Sequence, residues 1–114
     1  MRVHRIRVER DGPGAVGVVH ATGELDAFAA PDLESAFAEV RGLDGVVVDL
    51  AAVSFLDSTA LGTLVHEVRR VQGLETSVRV VLPDGSARRI FEITTLDRVL
   101  PVAATAAEAV AELQ

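Results

Sequence analysis

Asp57, Ser58 and Thr59 bring a carboxylate and two hydroxyls together where an apolar segment gives way to a helical pattern. The first turn of a helix has backbone N–H groups without intrahelical partners, and the helix dipole is positive there. A Ser or Asp at this point usually caps the helix, and Asp57 can do that alone. Ser58 therefore has a spare hydroxyl, and the free N–H groups would stabilise a phosphate placed on it. The pattern predicts a functional centre over 57–62 in which phosphorylation of a serine can change the local charge.

Ser58 is poorly placed to act as an enzyme nucleophile. No Gly-x-Ser-x-Gly elbow surrounds it. His66 lies eight residues further along the same predicted helix, roughly 12 Å away along the axis. His4 and His20 fall on the predicted opening strands, and no His, Asp or Glu grouping has metal-ligand spacing. We therefore expect a binding protein with no catalytic residue, cofactor or metal site.

The predicted helix that begins at Ser58 has two different faces. Its apolar stripe, which should pack on a sheet, consists of Leu61, Leu64, Val65 and Val68. The other face is small near its start and charged near its end, and it comprises Thr59, Gly62, Thr63, His66 and Arg70. The simplest interpretation is an ordinary solvated face. Beside a spare serine hydroxyl, a smooth surface of small residues favours docking by another protein.

Charge and composition exclude several classes of partner and chemistry. The net charge is −6, and all 11 basic residues are arginine, so neither a P-loop lysine nor a Schiff-base lysine is present. An acidic chain repels phosphate backbones, so we do not expect nucleic acid as a direct partner. The acids are concentrated between Glu24 and Asp57, where Arg41 is the only basic residue. With no cysteine in the chain, disulfides and thiolate metal sites are excluded as well.

Alternating and helical patterns along the chain predict the elements that position this centre. The predicted order is β-β-α-β-α-β-α-β-α, with strands over 3–9, 15–21, 45–53, 78–82 and 99–103. Helices are predicted over 31–41, 58–72 and 86–94, followed by a closing helix capped by Thr105. The Gly- and Pro-containing turn at 11–14 makes the first two strands a hairpin. The fold class is α/β, a mixed, mostly parallel sheet covered by about four helices.

The length of 114 residues fits one domain over 1–114. The N-terminus lacks an apolar core of signal-peptide length, and no apolar stretch approaches the roughly 20 residues of a membrane helix. We expect a soluble, cytoplasmic protein without membrane insertion.

Four segments together resemble the STAS domain, and the resemblance spans nearly the whole chain. They are Gly-Glu-Leu-Asp at 23–26, Val-Val-Val-Asp-Leu at 46–50, Phe-Leu-Asp-Ser-Thr-Ala-Leu-Gly at 55–62 and Ala-Arg-Arg-Ile-Phe-Glu-Ile-Thr-Thr-Leu at 87–96. The motif that begins at Asp57 is specific when it follows a buried strand, whereas the segment at 23–26 is weak alone. The chain is most similar to the small, single-domain bacterial anti-sigma factor antagonists.

This resemblance implies that Ser58 is a phosphoacceptor and that the partner is an anti-sigma factor with serine kinase activity. Binding would release a sigma factor, phosphorylation would end binding, and a serine phosphatase would restore it. Asp26 matches a loop acid near the phosphorylated serine that helps to engage the partner, and Asp57 matches the residue that flanks the acceptor. The predicted partner-binding residues are therefore Asp26, Asp57, Ser58, Thr59, Gly62, Thr63 and His66.

Two residues depart from the family pattern. Ala60 stands where the pattern has glycine, and we expect its methyl to crowd a closely docked kinase. Thr59 replaces a serine and offers a rival hydroxyl. An alternative function also stays open, since isolated STAS-like domains act as non-phosphorylated accessory subunits of lipid-transport ATPase complexes and dock by the same helix face. The intact Asp57-Ser58 pair and the acidic loop favour the phosphorylated antagonist.

Overall fold

The computed structural model describes residues 3–11, 16–82, 88–89, 92 and 100–114. Its strands are β1 (His4–Asp11), β2 (Val16–Leu25), β3 (Gly45–Leu56), β4 (Ser77–Val81) and β5 (Val102–Ala103). Its helices are α1 (Ala30–Glu39), α2 (Ser58–Gln72) and α3 (Ala106–Leu113), and a short 3-10 turn, Ala27–Ala29, precedes α1. The predicted bounds of α2 are confirmed.

The five strands form one sheet in the order β1-β2-β3-β4-β5. β1 pairs antiparallel with β2, and every other neighbouring pair is parallel. A parallel neighbour requires a crossover, and α1 and α2 supply two of these crossovers. The predicted mixed, mostly parallel sheet with an N-terminal hairpin is confirmed.

The sheet is covered on both faces, which is why β3 is a run of valines. Val46 and Val48 belong to the larger core cluster, together with Phe37 of α1 and Leu64 of α2. Val47 points the other way, into a smaller cluster that contains Ala109 and Val110 of α3. All three valines are fully buried, as their uninterrupted apolar run predicts.

β2 and β3 extend further than predicted, by four residues in β2 and three in β3. The strands remain paired to their ends through Leu25 and Leu56, with register shifts after His20 and after Gly23. These irregularities break the period of two on which strand prediction depends. The extension matters because it brings the ends of both strands to the same edge of the sheet.

Part of the predicted architecture lies outside the described residues. The structure describes three helices, and most of the fourth helix predicted over 86–94 is outside the described part, although Arg88, Arg89 and Glu92 within it are helical. Residues 12–14 of the turn predicted over 11–14 and the start of the last predicted strand at 99 are also outside it. The predicted Thr105 cap is confirmed, since its hydroxyl accepts a hydrogen bond from the Glu108 N–H at 3.1 Å. No helix in the described part of the chain is long and apolar enough to cross a membrane.

His20 joins the three N-terminal strands through its side chain. Its Nδ1 lies 2.9 Å from a carboxylate oxygen of Asp49 on β3, and its Nε2 lies 2.9 Å from one of Glu9 on β1. Arg7 also donates a hydrogen bond to Glu9 at 3.0 Å. The hydrogen bond from Arg7, followed by the charge of His20, holds the pKa of Glu9 below its ordinary value of 4.5.

We predict that the contribution of Glu9 to stability disappears in acid. Because the pKa of Glu9 is lowered in the folded protein, the unfolded chain binds a proton more readily. The stabilisation is therefore complete above the ordinary pKa and is lost as pH falls through the lowered value. In urea unfolding, the stability deficit of Glu9→Gln should be smaller at about pH 3 than at about pH 5.5. A deficit that is equal or larger in acid contradicts this assignment.

Candidate functional site

The candidate site lies at the edge of the sheet where β2 and β3 end. The backbone N–H of Asp57, the first residue after β3, donates to the carbonyl of Leu25, the last residue of β2, at 3.0 Å. Asp26 and Asp57 therefore follow two neighbouring strand ends that are hydrogen-bonded to each other. The carboxyl ends of parallel strands are the usual position for binding residues in α/β folds.

Asp57 caps α2. Its backbone is extended, and its side chain accepts a hydrogen bond from the Ala60 N–H at 2.8 Å. Its carbonyl accepts from the Leu61 N–H at 2.9 Å, which forms the first turn of the helix. The carboxylate is thus used in holding the helix start, and the Ser58 hydroxyl is not needed for the cap.

Asp26 caps the 3-10 turn in the neighbouring loop, as Asp57 caps α2. Its side chain accepts a hydrogen bond from the Phe28 N–H at 3.0 Å, and its carbonyl accepts from the Ala29 N–H at 2.9 Å. These bonds shape the 3-10 turn between β2 and α1. Asp26 is only 8% exposed, so in this structure it positions the turn and presents little surface of its own.

Ser58 and Thr59 occupy the first two positions of α2, and both are exposed. Gly62 and His66 continue the same exposed face, while Thr63 is half-buried. A β-carbon added at Gly62 would meet no described residue within 4 Å. The predicted docking face is therefore exposed around Ser58, and the residues that form it there are small.

The structure corrects the expectation about Ala60. Its side chain is completely buried in the larger core cluster, and it does not lie on the docking face. A methyl at this position fills the core beneath the helix start, so it does not crowd a protein that approaches Ser58.

The buried stripe of α2 also differs from the predicted one. Its buried residues are Ala60, Leu64, Glu67, Val68 and Val71, whereas Leu61 and Val65 are half-buried at its margin. The helical spacing gave no indication of Glu67, which is 2% exposed and accepts a hydrogen bond from Arg70 at 3.5 Å. Helical spacing predicted which side of α2 faces the sheet, but the exact orientation depends on tertiary packing.

The three histidines contact acidic residues. His4 lies 2.6 Å from Asp32 of α1, His20 lies between Asp49 and Glu9, and His66 is 4.0 Å from Glu67. None of these acids is in the loop that leads to Ser58. Within the part of the chain that the structure describes, no group of His, Asp and Glu is arranged to hold a metal ion.

Phe28 is a surface residue that the sequence pattern did not indicate. It lies in the turn that Asp26 caps, and its side chain is 85% exposed. Alanines occupy 27, 29 and 30, so an aromatic residue among small ones was the only available sequence signal. Helical and strand periods do not apply to a turn, which is why they gave no indication of its exposure.

The chain matches a known domain family and resembles proteins of known name. A family model described as the STAS domain matches residues 7–109. The chain is 33% identical over 86 residues to the anti-sigma-B factor antagonist of Staphylococcus epidermidis, an alignment that covers 74% of this chain and 80% of that protein.

Two solved structures extend the comparison. The crystal structure of an anti-sigma factor antagonist from Mycobacterium paratuberculosis is 34% identical and has a TM-score of 0.86, covering 97% of this chain and 94% of that chain. The structure of the Bacillus cell fate determinant SpoIIAA in the phosphorylated form has a TM-score of 0.70 at 18% identity, covering 96% and 100% of the two chains. The second likeness concerns the fold alone.

We predict that Asp57→Ala destabilises the protein by about 1 kcal/mol, within a range of roughly 0.5–2 kcal/mol, because it removes the cap of α2. Asp57→Asn should lose less, since its amide oxygen can still accept the Ala60 N–H. Asp44→Ala removes the same charge from an exposed loop residue whose side chain caps no helix, so it serves as the control. Urea unfolding measures all three variants. Equal stability of Asp57→Ala and Asp44→Ala would show that the cap contributes nothing.

Proposed function

This chain belongs to the STAS domain family, and we propose that it is an anti-sigma factor antagonist whose binding is switched off by phosphorylation of Ser58. The observation that carries the proposal is the exposed Ser58 hydroxyl beside a helix cap that Asp57 already provides. The proposed partner is an anti-sigma factor that also has serine kinase activity. The named relatives favour this function over that of an accessory subunit in a lipid-transport ATPase complex.

In the unphosphorylated state, the proposed docking surface consists of the α2 face that begins at Ser58. Gly62 gives an energetic argument for this surface. A glycine inside a helix costs about 1 kcal/mol relative to alanine, yet no described residue lies within 4 Å of the position that a β-carbon would take at Gly62. No contact among the described residues requires a glycine here, so close approach of another protein explains it best.

Phosphorylation would change the charge of this surface and leave the fold intact. The cap uses the N–H of Ala60, so the N–H groups of Ser58 and Thr59 remain available to a phosphate on Ser58. The phosphate adds about −1.5 to −2 charge units next to the Asp57 carboxylate. A partner that fits the neutral surface would then meet a bulky anion, and its binding would weaken.

The proposed chemistry is supplied by the partners. The kinase transfers the γ-phosphoryl group of ATP to Ser58 Oγ, the bond to the β-phosphate breaks, ADP leaves and a kinase base takes the hydroxyl proton. A serine phosphatase hydrolyses the phosphate ester with water and restores the hydroxyl. The protein itself contributes only the acceptor and the docking surface, so we do not propose that it is an enzyme. Because the proposed kinase uses ATP, we propose that the switch operates in the cytoplasm.

We predict that the cognate anti-sigma factor kinase and ATP add one phosphate to the protein, at Ser58. Ser58→Ala should bind the kinase and remain unmodified, which peptide mass spectrometry can establish. A phosphate found on Thr59 in place of Ser58 would contradict the assignment of the acceptor.

Ser58→Asp should bind the same kinase at least tenfold more weakly than the parent protein, while its unfolding transition stays cooperative. Ser77→Asp adds the same charge at the start of β4, at the opposite end of the parallel strands, and it should bind normally. Titration calorimetry compares the two variants. Normal binding by Ser58→Asp would overturn the electrostatic explanation.

We predict opposite effects of Gly62→Ala on stability and on docking. The protein should gain about 0.5–1 kcal/mol in the free energy of unfolding, because alanine is the better helix former and its methyl meets no obstacle. Binding to the anti-sigma factor should weaken, because the methyl enters the space that the partner occupies. Ser35→Ala, on the exposed surface of α1, is a control that also raises helix propensity. Stronger or unchanged binding by Gly62→Ala would remove Gly62 from the docking surface.

A further inference from the structure

Phe28 is an exposed aromatic side chain at the edge of the sheet where β2 and β3 end. Among the described residues, the exposed large hydrophobic side chains are Val3 at 66%, Phe28 at 85% and Leu74 at 55%. Val3 precedes the first strand, and Leu74 follows the other end of α2 from Ser58. Phe28 is the most exposed of the three and lies on the turn that follows β2.

The backbone that carries Phe28 is held firmly. The Asp26 carboxylate accepts its N–H, and the next residue, Ala29, is completely buried in the same core cluster as Ala60 of α2. The phenyl group therefore extends from a fixed turn. A side chain presented in this way loses little conformational freedom when a partner buries it.

Phe28 is continuous with the docking surface around Ser58. The 3-10 turn packs against α2. The hydrogen bond between the Asp57 N–H and the Leu25 carbonyl joins the loops that precede Phe28 and Ser58. A protein seated on the start of α2 therefore meets this turn as well.

We propose that Phe28 is the apolar anchor of this surface and inserts into an apolar pocket on the anti-sigma factor, a proposal that rests on the function proposed above. Aromatic residues with fixed backbones are typical anchors of protein–protein interfaces. α1 follows the anchor directly and carries two exposed carboxylates, that of Glu34 and that of Asp32, which His4 contacts at 2.6 Å. The pocket that receives Phe28 is accordingly rimmed by basic residues.

The anchor and the phosphoacceptor have different roles. Phe28 provides affinity through apolar burial, which phosphorylation does not alter chemically. Ser58 provides control through charge. Burying one phenyl group corresponds to about one to two orders of magnitude in affinity.

The test uses purified anti-sigma factor kinases of the source bacterium, titrated one at a time against the full chain. Phe28→Ala should bind about 10- to 100-fold more weakly than the parent protein, with an unchanged urea midpoint. Leu74→Ala is the matched control and should bind within about twofold of the parent.

A second variant reports burial directly. The chain has no Trp and no Tyr, so Phe28→Trp introduces its sole indole. Its emission should shift to the blue when the kinase is added, after subtraction of the kinase signal. Leu74→Trp should show no shift.

The outcomes separate this inference from the function on which it rests. If Ser58→Asp abolishes binding but Phe28→Ala binds like the parent, the switch stands and the anchor is wrong. A blue shift of Phe28→Trp that rises with its own concentration, without kinase, identifies a second copy as the occupant and overturns the proposal. If the parent protein binds no kinase in the panel, the proposed function and the anchor both fail.

Discussion

The hydrogen bond from the Asp57 N–H to the Leu25 carbonyl is the contact on which the site depends. It closes the ends of β2 and β3 against each other, beyond the point at which their register first shifts. It therefore holds the loop that starts α2 against the turn that starts α1. With it, both loops leave the sheet at one edge, so a serine on one and a phenylalanine on the other belong to a single surface.

At this edge, the two aspartates stabilise backbone structure and leave the neighbouring side chains free. Asp57 accepts the N–H of Ala60, and Asp26 accepts that of Phe28. A serine that capped its own helix would use its hydroxyl in that bond, and its modification would disturb the helix start. Because a carboxylate does that work, Ser58 is exposed on an already stable turn. This separation of structural and chemical roles is what allows a charge change without unfolding.

Sequence patterns predicted much of this arrangement, and they were wrong where tertiary contacts decide. The bounds of α2 were predictable because Asp57 marks its start and Gly73 its end. The full lengths of β2 and β3 were not, because irregular pairing interrupts their alternation. The burial of Ala60 and the exposure of Phe28 depend on how two loops pack against α2, and no local period encodes that packing. The role of Ser58 was inferred from family resemblance and from helix-end electrostatics, and it remains a proposal.

The central claim is that phosphate on Ser58 alters the surface and not the fold. The most direct measurement is a comparison of backbone amide NMR spectra of the free protein with and without phosphoserine at position 58. We predict changes confined to the start of α2 and to the adjacent 3-10 turn, with the amides of β4 and α3 unmoved. Changes that spread through β4 and α3, or a loss of dispersion, would contradict the claim, because phosphorylation would then act by disrupting the fold.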